Sequence, residues 1–204
     1  MKRAAGRSMR LHGEDRRQAL VQAAFRQIAE RGFEGLRTRE IAAQAGVNIA
    51  TLHYYFPTKE ALIRGVVAHA MGRFRSTLAP HGSPDHQLAN HLKAVRALLR
   101  REPEIRLVMG ELAIRSARDE SLARILRQTN EAWHRMVRGL LRQAVSEGSL
   151  PREFNSDEAA SLIIATVSSM MLPSMSSVRR DQAFQGLDRW LSRGHEDLPS
   201  RSSN

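Results

Sequence analysis

The residues with the most pointed chemistry lie together between positions 48 and 59. Both tyrosines of the chain, Tyr54 and Tyr55, are consecutive and are followed by Phe56, although the 204 residues include only two Trp, two Tyr and six Phe. At helical spacing Leu52 and Phe56 share one face, while Ile49 with His53, and Ala50 with Tyr54, fall on the faces roughly opposite. Leu52 and Phe56 then pack inward, and Ile49, Ala50, His53 and Tyr54 point outward. An outward face of this composition is poorly suited to water alone. It suits a duplex groove, where apolar atoms meet a thymine methyl and His or Tyr hydrogen-bonds base edges or phosphates. The competing use of the tyrosine rings is packing on the first or fourth helix.

Such a face needs a frame, and residues 38–57 have the pattern of a helix-turn-helix. A small residue must let the second helix approach, the turn needs a residue tolerant of positive φ, and an apolar residue must lock the pair. Ala42, Gly46 and Leu52 supply these in order, with Ile41, Val47 and Phe56 as apolar cement. Thr38 and Asn48 are suited to cap the two helices.

The elements around it read as all-helical. Leu20, Ala24 and Ile28, with Val21 and Phe25, make the core face of a helix over 14–31 that Gly32 ends. Helices follow over 38–45 and 49–56, and Thr58 caps a fourth carrying Leu62, Val66, Val67, Ala70 and Phe74. After the loop Pro80-His81-Gly82-Ser83-Pro84, further helices are expected over 85–101, 103–117 and 120–146. Asn155, with Glu158 as a capping box, opens an apolar run from Ala159 to Leu172, and a last helix spans 181–193. No segment alternates as a half-buried strand does.

Composition narrows the function classes. The chain has no cysteine, which excludes disulfides, thiolate metal sites and thiol catalysis. It carries 32 Lys and Arg against 21 Asp and Glu, a formal charge of +11, and only Lys2, Lys59 and Lys93 are lysine. A surplus of this size points to a polyanionic partner, nucleic acid before membrane surface, or to an arginine-rich proteome. The first thirteen residues hold Lys2, Arg3, Arg7 and Arg10 without an acid and are expected to form a disordered basic tail, solvated or touching DNA. No apolar stretch is long enough to span a membrane, and no secretory leader is apparent. His81, His86 and His91 recur every five residues, which does not stack them on one helical face, so no metal site is expected. No catalytic constellation or phosphate-cradling glycine loop is present, and neither an enzyme nor a cofactor is expected.

Residues 14–66, above all Thr38–Leu62 with its Ala42, Gly46, Asn48 and Tyr54-Tyr55-Phe56, resemble the DNA-binding domain of TetR/AcrR-family transcriptional regulators. The resemblance implies an all-α protein with an N-terminal three-helix helix-turn-helix domain and a helical effector-binding and dimerisation domain. The expected domains are 14–60 and 61–193, between the tail at 1–13 and a second disordered tail at 194–204. It implies a cytoplasmic homodimer, probing a palindrome in double-stranded DNA and releasing it when a small effector binds, hence a repressor. Arg37, Thr38, Asn48, Ile49, Ala50, Thr51, His53, Tyr54, Tyr55 and Lys59 would be the DNA contacts. Of these, Thr38 and Lys59 would meet phosphates, and Thr51 and Tyr55 the backbone. His53 departs from the family, which usually has tyrosine there; a neutral imidazole is a shorter, weaker phosphate donor.

The rest of the chain is less explicit. The run Leu162–Leu172 is apolar almost all round, so it is buried on more than one side. Leu162, Thr166 and Ser169, with Phe184, Leu187 and Trp190 of the last helix, are the candidates for a two-fold contact, or else for a single-chain core. Met109, Leu112, Trp133, Met136 and Met171 fall on the helices that enclose the pocket in proteins this one resembles, and are equally ordinary core. Glu111 would meet a cationic ligand or an arginine such as Arg115. The alternative function is an effector-independent DNA-binding organiser whose C-terminal domain binds another protein.

Overall fold

A computed structural model of the chain describes residues 2–78 and 83–196, with side chains described for 13–78, 83–84 and 86–191. Among the described residues all regular structure is helical: α1 (Lys2–Arg31), a 3-10 turn (Phe33–Gly35), α2 (Thr38–Gln44), α3 (Ile49–Tyr55), α4 (Lys59–Arg75), α5 (Pro84–Arg101), α6 (Pro103–Ser116), α7 (Glu120–Ser146), α8 (Ser156–Ser169) and α9 (Ser177–Glu196). The fold class is therefore the expected all-α one. The chain divides into two compact units, Met1–Gly72 with Leu107–Leu126, and Arg73–Arg106 with Arg127–Asn204. The first unit thus reaches past residue 60 along α4 and also takes in most of α6 and the start of α7.

Three boundaries differ from the sequence reading. The backbone is helical from Lys2, where a disordered tail was expected over 1–13. That stretch has no proline and is rich in Ala, Arg, Met and Leu, so a helix nucleated by packing of 14–31 propagates backwards through it. Helix α8 stops at Ser169 instead of running to Leu172. Pro173 has no N–H and crowds the residue before it, which turns the chain early. Helix α9 starts at Ser177, four residues before the expected start. Of the tail expected over 194–204, residues 194–196 are still part of α9, and residues 197–204, like the loop residues 79–82 that include His81, lie outside the described residues.

In the first unit Leu20, Ala24 and Ile28 of α1 are buried, as are Ile41, Ala42, Leu52, Phe56, Leu62 and Val66. α4 approaches closely because residue 65 is glycine: a Cβ there would lie 3.0 Å from Val21 Cγ2 and 3.2 Å from the Phe56 ring. In the second unit Leu88, Leu92, Val95, Val137, Leu141, Ile163, Val167, Phe184 and Leu187 form the core. α5 and α9 are joined by Asp181, which accepts from Arg96 Nε at 3.1 Å and from Arg100 Nη2 at 2.6 Å. Asn155 Oδ1 caps α8 by accepting from the Asp157 and Glu158 amides, both at 3.2 Å.

One buried polar group stands out in the second unit. His91 is fully buried, and burial pushes its pKa from 6.5 down to about 4 against the opposing effect of its hydrogen bond to Thr77. The unfolded chain binds this proton more readily than the folded one, so the contribution of neutral His91 is complete above pH 6.5 and is lost as pH falls toward 4. Denaturant titrations should show wild type losing up to roughly 3 kcal/mol more than His91→Phe across that window. A second prediction follows from the glycines of α4. Gly65→Ala should cost about 1–2 kcal/mol by overpacking, whereas Gly72→Ala, whose Cβ meets nothing within 4 Å, should be neutral or stabilising by up to about 1 kcal/mol. Urea midpoints of the two variants would decide it.

Candidate nucleic-acid interface

The turn between α2 and α3 is a Schellman motif. Gly46 has φ 67°, its N–H donates to Ala43 O at 3.1 Å, and the Val47 N–H donates to Ala42 O at 3.0 Å. The left-handed residue satisfies two carbonyls at the end of α2 and reverses the chain in four residues. Asn48 then caps α3: its Oδ1 accepts from the Thr51 N–H at 2.8 Å and from Thr51 Oγ1 at 2.9 Å. Thr58 Oγ1 does the same for α4, accepting from the Ala61 N–H at 3.0 Å. Thr38 is different. It is the first residue of α2, with Arg37 at the cap position and no side-chain capping bond: the Arg37 carbonyl accepts the first helical bond, from the Ile41 N–H at 3.0 Å, and the Arg37 N–H is taken by Gln27 Oε1 at 3.0 Å. That bond, from a glutamine buried in α1, fixes the entry to α2.

With both ends set, rotation of α3 is decided by burial. Leu52 and Phe56 are each only 2% exposed, and the Arg17 guanidinium lies 5.3 Å from the Phe56 ring. Asn48, Ala50 and His53 are exposed, Ile49 is 37% exposed and Tyr54 80%. Thr51 is half-buried by its bond to Asn48. Tyr55 is half-buried too, with its ring 5.2 Å from that of Tyr54 in an edge contact and its hydroxyl against Gly13 of α1. Arg37 is exposed and its guanidinium folds back on the Glu34 carbonyl, at 2.6 Å. The outward face Asn48, Ile49, Ala50, His53 and Tyr54 is thus one continuous surface of donors, acceptors and apolar atoms.

Lys59 begins α4, but its ammonium lies 4.1 Å from the centre of the Phe33 ring. The Arg115 guanidinium lies 4.3 Å from the same centre. Burial, then the neighbouring Arg115 charge, hold the Lys59 pKa below its usual value. Arg115 also pairs with Glu34, and Glu111 Oε1 accepts from the Phe33 N–H at 3.1 Å. Glu111 therefore holds backbone; the expected pairing with Arg115 is absent because Glu34 takes that guanidinium. Nothing in the local sequence pointed to Gln27 or Glu111 as backbone anchors, since both bond across chain separations set by the fold.

The residues expected to line an effector pocket are distributed over both units. Met109 and Leu112 belong to the first unit, where Leu112 is fully buried core. Trp133, Met136 and Met171 belong to the second. Trp133 stacks on Phe74 at 5.8 Å, Met171 is buried, and half-buried Met136 lines a groove with Leu78, Gln87 and Leu140. The candidates for a two-fold contact also divide. Phe184 and Leu187 are buried inside the protomer, since α9 turns them onto the core of its own unit. Leu162 is 50% exposed and Trp190 38%, and Thr166 and Ser169 are half-buried. Among the described residues there is no group of three side chains placed to hold a metal ion, and no helix is long and apolar enough to cross a membrane.

Comparison with known proteins agrees with this geometry. Residues 20–66 match the model of bacterial regulatory proteins of the tetR family, and residues 78–189 match the tetracyclin repressor-like C-terminal domain. The HTH-type transcriptional dual regulator CecR of Shigella flexneri is 36% identical over 93 residues, 46% of this chain and 41% of that protein. The chain thus spans less than half the length of the first curated relatives it matches. The nucleoid occlusion factor SlmA of Haemophilus influenzae is 25% identical over 150 residues, 71% of this chain and 67% of that protein. A putative TetR-family transcriptional regulator from Rhodococcus sp. shares the fold with a TM-score of 0.79 at 24% identity, over 89% of this chain and 99% of that one. With a helix-turn-helix whose reading face is open and family models covering both parts of the sequence, this chain belongs to the TetR family of DNA-binding transcriptional regulators.

Proposed function

We propose that the protein is a homodimeric, ligand-responsive repressor of the cytoplasm that binds a palindromic operator and leaves it when a small effector occupies the C-terminal unit. The observation that carries the DNA reading is the split of α3 into a buried side, Leu52 and Phe56, and an exposed one, Asn48, Ile49, Ala50, His53 and Tyr54. Those five side chains would read bases, while Arg37, Thr38, Thr51, Tyr55 and Lys59 would hold the backbone. Two such helices must sit roughly 34–36 Å apart to enter successive major grooves. Exposed Leu162 and Trp190 on α8 and α9 support pairing through those helices, with Thr166 and Ser169 allowing close approach.

Release follows from linkage. The chain passes between its two units within α4, α6 and α7, and each crossing is continuous helix. An effector that prefers a different dimer spacing lowers operator affinity, with a coupling of about 1–3 kcal/mol. A second reading, an organiser indifferent to effectors, is supported by the likeness to SlmA over 71% of the chain. It is favoured if operator affinity does not respond to any small molecule.

Two outcomes are expected. In mobility-shift titrations against a duplex selected from random sequence, Tyr54→Ala should erase most of the preference over random DNA, a loss of about 1–3 kcal/mol. Lys59→Ala should weaken both duplexes alike and reduce the salt slope by about one; equal losses for both variants on both duplexes would refute this division of labour. In sedimentation, Leu162→Glu combined with Trp190→Glu should convert a dimer into a folded monomer that binds a half-site weakly. A double variant that stays dimeric would move the two-fold contact elsewhere.

A further inference from the structure

Two rings in the C-terminal unit each bury a polar atom that finds no hydrogen-bond partner among the described residues: His91 Nε2 on α5 and Trp133 Nε1 on α7. The rings are in edge-to-face contact, with centroids 6.5 Å apart and planes at 90°. His91 is fully buried and Trp133 is 8% exposed. Native interiors seldom leave one such atom unpaired, and two on touching rings call for an occupant.

The state of the imidazole is fixed by its other nitrogen. Thr77 Oγ1 donates its single hydrogen to the Phe74 carbonyl at 2.7 Å. It also lies 2.7 Å from His91 Nδ1, and the hydrogen in that contact must come from the imidazole. With Nδ1 protonated and the ring neutral, Nε2 is a lone-pair acceptor. The depressed pKa of His91, near 4, agrees. The indole N–H of Trp133 is a donor only. The pair therefore offers one acceptor and one donor on neighbouring rings.

A groove of roughly 350 Å³ is lined by residues of the same three segments, Leu78, Gln87, Met136, Gly139 and Leu140, with exposed Arg135 beside them and the two rings behind this lining. Leu78 follows Thr77, Gln87 is one turn before His91, and Met136 is one turn after Trp133. Met136, unbranched and half-buried, is the side chain that would yield to admit a group from the groove to the rings. The volume is at the small end of those that hold organic ligands.

We infer that His91 and Trp133 are the polar end of the effector site, and that they select a neutral, mostly apolar small molecule bearing a hydroxyl group. The hydroxyl donates to His91 Nε2 and accepts from Trp133 Nε1, satisfying both atoms at once. A carboxylate would turn a lone pair toward the Nε2 lone pair, and a proton to relieve that is disfavoured by burial. An ammonium would satisfy the imidazole but confront the indole N–H. Arg135, being exposed to water, does not reverse this choice. The assignment rests on the ligand-responsive reading above and gives that ligand a chemical class.

The test is a titration of the full-length protein with three probes of one shape: cyclohexylmethanol, cyclohexanecarboxylate and cyclohexylmethylammonium. The chain has two tryptophans, so the indole N–H resonance of Trp133 can be assigned by its loss in Trp133→Phe. The alcohol should shift that resonance saturably and bind at least tenfold more tightly than either ion. His91→Phe should remove the preference, and His91→Gln, which keeps an acceptor, should retain part of it. A Trp133 resonance that the alcohol does not move, an ion binding as tightly, or a preference unchanged in His91→Phe would each overturn the assignment. Should His91→Phe fail to fold, the ranking of the three probes on wild type and His91→Gln decides alone. Binding of the selected duplex, measured on the same preparation without probe, separates the two levels: a silent Trp133 with intact DNA binding overturns the ligand site only, and a responsive Trp133 without sequence-specific DNA binding overturns the regulator reading only.

Discussion

Burial of Leu52 and Phe56 sets the one angle on which everything at the reading head depends, the rotation of α3 about its own axis. A seven-residue helix has too few internal hydrogen bonds to persist alone. It exists because two side chains on one face are taken into the core beside Val21 and Ile41, and because Asn48 and the Gly46 turn close its first end. Turning the helix by one residue, about 100°, would drive His53 into the core and push Leu52 into water. The cost of a buried unpaired imidazole plus an exposed leucine is several kcal/mol, far more than any groove contact returns. The outward face is thus a consequence of what the inward face must bury.

The same logic explains why the head includes part of α6. Phe33 ends the first helix region with its ring buried between cations from α4 and α6, and with its N–H given to Glu111. A backbone donor that would otherwise be orphaned after α1 is satisfied by a residue 78 positions away. An ionised acceptor makes this bond roughly twice as strong as a neutral one. Residues Leu107–Leu126 are accordingly part of the first compact unit, although their sequence reads as the beginning of the second.

What could be read in advance divides along that line. Caps at Asn48, Thr58 and Asn155, the stop at Gly46 and the inward pair Leu52 and Phe56 are local: each depends on neighbours within four residues, and the sequence contains them all. Thr38 suits a cap by residue type, but the first helical bond of α2 goes to the Arg37 carbonyl, and the Arg37 N–H is held by Gln27 from ten positions away. For Phe184 and Leu187 the sequence leaves a partner and the chain's own core equally open, because periodicity shows that a face is apolar without showing what covers it. The pairing of His91 with Trp133 joins α5 to α7 across forty-two positions and leaves no periodic trace, so a spacing argument about three histidines found nothing there.

Satisfying two orphaned atoms would give an effector affinity, but affinity alone does not give a response; a ligand shifts an equilibrium only by the difference between its affinities for the two states. The placement of the pair supplies a route to that difference. Trp133 stands on α7, which begins in the first unit, and the Thr77 that orients His91 lies two residues beyond the end of α4, whose first residue, Lys59, lies over Phe33 in the head. An effector held by both rings would touch the chain just beyond α4 and within α7, two of the helices in which the chain passes from one unit to the other. Each unsatisfied atom represents about 1–3 kcal/mol, the same scale as the coupling that the proposed release would need. A response would then require that the two atoms be satisfied to different extents in the operator-bound and the free protein, because only that difference shifts the equilibrium.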